Sequence, residues 1–76
     1  MKTAMQRYNE KKDRDLKIQM TMPIKTNNNL YIWEEWHYRD DGMINKIRYF
    51  AEDINGGNKM SVKVADFLCL LKNSDF

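Results

Sequence analysis

His37 is the single histidine of this chain and Cys69 its single cysteine. The side chains that most often act as general base and nucleophile therefore occur once each, and no serine or cysteine stands at a recognisable nucleophile spacing from His37. One Cys and one His cannot supply the three or four ligands that zinc takes, and a lone cysteine closes no intrachain disulfide. Glu34-Glu35 and Asp40-Asp41 are carboxylate pairs adjacent in sequence. In a strand such neighbours leave on opposite faces, and in a turn they stay in solvent, so they do not converge as an acid and a base must. Gly56-Gly57 precedes a helical pattern, yet neither a phosphate-binding loop nor a dinucleotide fingerprint surrounds it. The one catalytic arrangement left is a metal-free nuclease using His37 with Lys46 and Arg48. The residues point instead to a protein that binds, with no metal, no cofactor and no enzymatic activity.

The chemistry of binding lies in the middle of the chain. Rings at Trp33 and Phe50 are interleaved with cationic or ionisable groups at His37, Arg39, Lys46 and Arg48. Rings can stack on bases while Lys and Arg meet phosphates, which is what a single-stranded nucleic acid requires. The plain alternative is a cross-strand Trp33–Phe50 pair on an ordinary sheet surface, lying under long side chains.

Whether these groups share a face depends on the elements that carry them. Leu16, Ile18, Met20 and Met22 alternate with Lys17, Gln19 and Thr21, the two-residue period of a half-buried strand, and Pro23 ends it or marks an edge. A polar loop at 26–29 leads into residues 30–39, LYIWEEWHYR, with the aromatic and β-branched content of a strand. Asp41-Gly42 suits a two-residue type I′ turn, and residues 43–53 return as the next strand. A two-residue turn pairs Trp36 with Ile47, Glu35 with Arg48 and Trp33 with Phe50. One face then collects Leu30, Ile32, Trp36, Tyr38, Ile47, Tyr49 and Ala51, and packs on a helix. The other collects Tyr31, Trp33, His37, Arg39, Lys46, Arg48 and Phe50, and stays open.

After the break at 55–58, Ser61 is the expected N-cap of a helix, and Val64, Phe67, Leu68 and Leu71 recur at helical spacing. Leu70, Val62 and Cys69 widen its apolar surface beyond one stripe, and that surplus predicts a subunit contact. Residues 1–15 carry five Lys or Arg against three acids without apolar periodicity, and read as a flexible basic arm outside a single domain at 16–76. The fold class is α+β: an antiparallel meander of three or four strands followed by one C-terminal helix.

Seventy-six residues leave room for one modest core, and with no disulfide or metal to help, self-association is expected. No apolar run approaches the roughly 20 residues that cross a bilayer, so a cytoplasmic protein without membrane contact is expected. The formal charge of +2 does not by itself establish nucleic-acid binding.

The order of strands, glycine-containing loop and the closing MSVKVADFLCLLK resembles the positive-cofactor-four family of transcriptional coactivators and its small bacterial and phage relatives. The resemblance is carried by Ile47-Arg48, Phe50, the loop at 56–59, Met60-Ser61-Val62, Phe67, and Leu70 or Leu71, and it covers roughly residues 30–72. The chain departs from that family at its acidic hairpin tip, Asp40-Asp41-Gly42, and at Met60, which stands where a glycine is usual. The resemblance implies a homodimer joined through its helices, at Phe67, Leu70 and Leu71, with single-stranded DNA along the sheets. Arg48, Phe50 and Lys59 inherit contacts to DNA, and Lys17 joins them as a phosphate contact. The expected function is thus a single-stranded DNA- or RNA-binding transcription or replication cofactor. The alternative is a small, phage-type inhibitor or adaptor that turns the same aromatic surface towards a protein partner.

Overall fold

A computed structural model of the chain describes residues 3–11 and 17–74. Among the described residues the elements run α1 (Ala4–Lys11), β1 (Ile18–Met20), β2 (Ile24–Lys25), β3 (Leu30–Tyr38), β4 (Ile44–Asp53), β5 (Met60–Val62) and α2 (Val64–Lys72). The strands form one antiparallel sheet in the spatial order β1-β3-β4-β5, with β2 also on β3. The α+β class with a C-terminal helix is as the sequence predicts. Leu16, expected to open the first strand, lies outside the described residues.

β1 and β2 are two pieces of one strand along β3. Ile18↔His37 and Ile24↔Ile32 differ in register by one residue, and the slip falls at Pro23, which has no amide to donate. Thr21 covers the gap with its side chain. Its amide donates to the Glu34 carbonyl at 2.9 Å, and the Glu34 amide donates to Thr21 Oγ1 at 2.8 Å.

Two hairpin loops share one geometry. The Thr26 amide donates to the Leu30 carbonyl at 2.8 Å around Asn27-Asn28-Asn29, with Asn29 at φ 60°. The Arg39 amide donates to the Met43 carbonyl at 2.7 Å around Asp40-Asp41-Gly42, with Gly42 at φ 86°. Both are three-residue loops whose last residue is left-handed, the conformation that Asn and Gly tolerate best. The second loop corrects the two-residue turn expected at Asp41-Gly42. Its form is favoured by Asp41, whose Oδ1 accepts from the Met43 amide at 3.0 Å. An extra loop residue alone would move every later pair by one. A bulge at Asn45 absorbs it, since Tyr38 pairs with Ile44 and His37 with Lys46, leaving Asn45 without a partner. Beyond the bulge the pairs are the expected ones: Trp36↔Ile47, Glu35↔Arg48 and Trp33↔Phe50.

The sheet is covered on both faces. On one, Ile32, Ala51 and Phe67 form a core with Ile24, Tyr49, Val62, Leu70 and Leu71 packed against it, and the Phe67 and Tyr49 rings lie 4.9 Å apart. On the other, Ala4 of α1 joins Trp33 and Phe50, with Met20 and Tyr31 alongside. The second cover was not expected. In place of a flexible arm, residues 4–11 are helical and belong to the domain. A reciprocal cap starts the helix: the Gln6 amide donates to Thr3 Oγ1 at 3.3 Å, and the Thr3 amide donates to Gln6 Oε1 at 2.8 Å.

Ser61 is not a helix cap. It sits in β5 opposite Phe50, and α2 begins after Lys63, which makes no side-chain cap. Met60-Ser61-Val62 alternates as a strand does, and pairing with β4 buries Val62 over the α2 core, a gain that one more turn of helix would forgo. This segment supplies the fourth strand of the meander. At its other end α2 is closed by Asn73 and Ser74: the Asn73 amide donates to the Leu70 carbonyl at 3.0 Å, and Ser74 Oγ donates to the Leu71 carbonyl at 2.7 Å. Ser74 then bridges to Thr26, tying α2 to the first hairpin.

Candidate binding surface

Pairing across β3 and β4 sets Trp33 against Phe50, with ring centroids 5.8 Å apart and planes 25° apart. Lys59, just before β5, places its ammonium 4.0 Å from the Phe50 ring centre, and Arg7 of α1 lies 5.8 Å from the Trp33 ring centre. Cation, ring, ring and cation thus form one row. The row is internal: Trp33 is 1% and Phe50 6% exposed. Stacking a base on either ring therefore requires α1 to leave, so the open aromatic face expected from the sequence is a covered one.

The expected phosphate contacts are similarly engaged. Lys59 Nζ donates to Glu35 Oε2 at 2.8 Å. Lys17 pairs with Asp40 at 3.0 Å and Arg39 with Asp41 at 2.8 Å, so the acidic tip neutralises its own neighbours. Lys17, Arg39 and Asp40 line a shallow depression of about 440 Å³ between β1 and the hairpin tip, together with Gln19, Tyr38 and Gly42. His37 is half-buried, with Nε2 3.7 Å from Glu35 Oε1 and no hydrogen-bond partner. Of the expected set, only Lys46 and Arg48 on β4 are exposed with no ion-pair partner among the described residues. The fold brings Trp33, Phe50 and Lys59 together, sets Lys46 and Arg48 in a second group, and sends Lys17 and Arg39 to the tip.

The expected dimer contacts Phe67, Leu70 and Leu71 turn inward. Phe67 is buried, and half-buried Leu70 and Leu71 pack against the same core beneath α2, so all three side chains serve the sheet of their own chain. The surplus of apolar surface on the helix is real but sits elsewhere, at half-exposed Val64 and Leu68, beside exposed Cys69. Inward positions 67, 70 and 71 and outward positions 64 and 68 are both helical sets, so spacing alone does not say which faces the sheet.

A surface that the sequence did not disclose lies on the α2 side of the sheet. α2 has nine residues, about 13 Å at helical rise, and its core lies towards the end of the sheet that carries Ile32 and Ala51. The hairpin end continues with the cross-strand pairs Trp36–Ile47 and Tyr38–Ile44. Direct partners share a face with Cβ atoms about 5 Å apart, so these four side chains form one patch. Ile47 is 37% and Ile44 48% exposed. Residues three apart in a regular strand point to opposite faces; the bulge at Asn45 is what sets Ile44 and Ile47 on the same one, as bulges beside functional surfaces re-aim side chains. The Trp36 indole N–H donates to Glu34 Oε2 at 2.7 Å, which holds the ring on this face.

Among the described residues no group of His, Cys, Asp and Glu could hold a metal ion, and no helix is long and apolar enough to cross a membrane. No protein-family model, curated protein or solved structure matches the chain.

Proposed function

We propose that this chain is a small protein-binding module, an adaptor or inhibitor that docks through the patch of Trp36, Tyr38, Ile44 and Ile47. The observation that carries the reading is that patch itself, exposed Ile44 and Ile47 beside half-buried Trp36 and Tyr38, lying past the part of the sheet that α2 covers. Trp and Tyr dominate binding energy at protein interfaces when they become fully desolvated on contact. The covered Trp33–Phe50 row moves the docking surface from the face the sequence suggests to the opposite one. The test is capture of protein from a cell lysate on immobilised wild-type chain and on the Trp36→Ala and Ile44→Asp variants, at low and at high salt. Retention that survives high salt and is lost in both variants is expected. Recovery of nucleic acid alone, released as salt rises, overturns the reading.

A second reading keeps the single-stranded nucleic-acid function and the resemblance to the positive-cofactor-four family. Lys46 and Arg48 favour it, as cations without an ion-pair partner among the described residues, on the same face as Trp33 and Phe50. In this reading α1 is displaced by the nucleic acid, so oligonucleotide addition at low salt changes tryptophan emission and the effect fades steeply with salt.

A further inference from the structure

β4 is ten residues long, and β3 lines one side of it from Ile44 to Asp53. On its other side β5 pairs only with Tyr49, Phe50 and Ala51, because the chain turns off at Lys63 into α2. No described strand lies beside residues 44–48 there. The direction of their backbone groups follows from the far side of β3. The Glu34 carbonyl accepts from Thr21, and the Tyr38 amide donates to the Lys17 carbonyl at 2.7 Å. Both residues therefore turn their backbone groups away from β4, and their partners Tyr49 and Ile44 likewise turn away from β3. Alternation along an antiparallel ladder gives Trp36↔Ile47 the same character. Tyr49 spends its outward groups on Val62 of β5; Ile47 offers its N–H and C=O to an empty lane.

The side chains along that lane are sorted. Lys46 and Arg48 stand on one face without ion-pair partners among the described residues, and Ile47 stands between them on the other, within the patch of Trp36 and Ile44. We propose that residues 44–48 of β4 accept an extended segment of a partner protein as an added antiparallel strand in the lane β5 vacates, and that this segment reads acidic-apolar-acidic. Its apolar residue lies opposite Ile47 and extends the patch, while its two carboxylates lie opposite Lys46 and Arg48. Strand addition of this kind takes affinity from main-chain hydrogen bonds and specificity from alternate side chains. A second copy of this chain is disfavoured as the occupant, because pairing two β4 edges would bring their Lys46 and Arg48 rows together. Edge lysines guard a sheet against just such self-pairing, and the same charges select an acidic strand. The proposal rests on the protein-binding reading and names the partner's chemistry.

The test is fluorescence anisotropy of the full chain with a short labelled peptide of alternating glutamate and valine. Saturable binding is expected. It should be lost when the peptide's central valine is N-methylated, a change that removes one main-chain donor and leaves the protein untouched. A peptide of the same composition with its glutamates in one block should not bind. Lys46→Glu with Arg48→Glu should weaken the alternating peptide by about tenfold or more, and admit a lysine–valine version instead. No binding, or equal binding of the N-methylated or blocked peptides, overturns strand addition. If that happens while lysate protein is still retained by wild type and lost on Trp36→Ala, the docking patch stands and only the strand falls. If an unstructured oligothymidylate is the sole ligand, both fall.

Discussion

Arg7 Nη2 donates to Glu52 Oε1 at 2.7 Å, and the Glu52 side chain is 1% exposed while Arg7 is 27% exposed. This contact fastens α1 over Trp33 and Phe50, because Glu52 stands two residues along β4 from Phe50 on the same face. Glu52 Oε2 has no hydrogen-bond partner, so the buried carboxylate depends on one guanidinium. Removing one member of a buried pair leaves an uncompensated charge. Arg7→Ala is expected to cost roughly 3 kcal/mol of α1 docking and to shift Trp33 emission to the red, while Glu52→Gln costs about 1 kcal/mol. Tryptophan emission during urea titration measures both; an unshifted spectrum in Arg7→Ala would show that the helix stays without its anchor.

Phe67 is the single buried side chain of α2. Truncating a buried Phe to Ala costs about 3–5 kcal/mol, which equals what a core of this size supplies. Phe67→Ala should therefore be largely unfolded at room temperature by circular dichroism, whereas Leu68→Ala, on the outward side, should shift the urea midpoint little.

Gly42 and Asn29 occupy equivalent positions in their loops, and a Cβ added at Gly42 meets nothing within 4 Å. The penalty for a side chain there is conformational alone. Gly42→Ala should destabilise by about 1 kcal/mol and Asn29→Ala by a similar amount, with Gly42→Asn closer to wild type. Thermal melts of the three variants rank them.

Thr21 stands in for a missing backbone partner. Thr21→Val keeps the shape and deletes the acceptor of the Glu34 amide, for an expected loss of about 1–3 kcal/mol. Faster amide exchange at Glu34, with the β3–β4 amides little changed, is the local signature to measure.

Cys69 is exposed on α2 near half-exposed Leu68. If copies associate through their helices, the contact uses this outward side. Cys69 should then become protected from maleimide as concentration rises, with Leu68→Asp removing the protection. Labelling at one rate across concentration, with a monomer by light scattering, excludes a helix-joined dimer.

The hairpin register was legible because β-branched and aromatic residues alternate on both strands and the burial of Ile32, Ala51, Trp33 and Phe50 leaves little freedom to slip. It survived a wrong turn assignment because Asn45 offsets the third loop residue. The cover over Trp33 was less legible. α1 contributes its small Ala4 and a charged contact at Arg7, neither of which makes an apolar stripe, and the Thr3-to-Gln6 spacing of a capping box is the one sequence signal that the flexible-arm reading passed over. The docking patch was hidden for a related reason. Ile44 and Ile47 share a face only through a bulge, and a strict two-residue period assigns them to opposite ones.

Thr26 is fully buried, yet its bridge partner is Ser74, and the Asn27 amide donates to the Asn73 carbonyl at 2.7 Å. The loop that begins the long hairpin is thus completed by residues that follow α2, far along the chain. Local turns can close in microseconds, but this junction needs a long loop to close around strands and a helix already in place, so it is expected to form on the native side of the folding barrier. Mutations at Thr26 or Asn73 should accelerate unfolding more than they slow folding, which makes the lifetime of the native state, rather than the speed of reaching it, the quantity this junction governs.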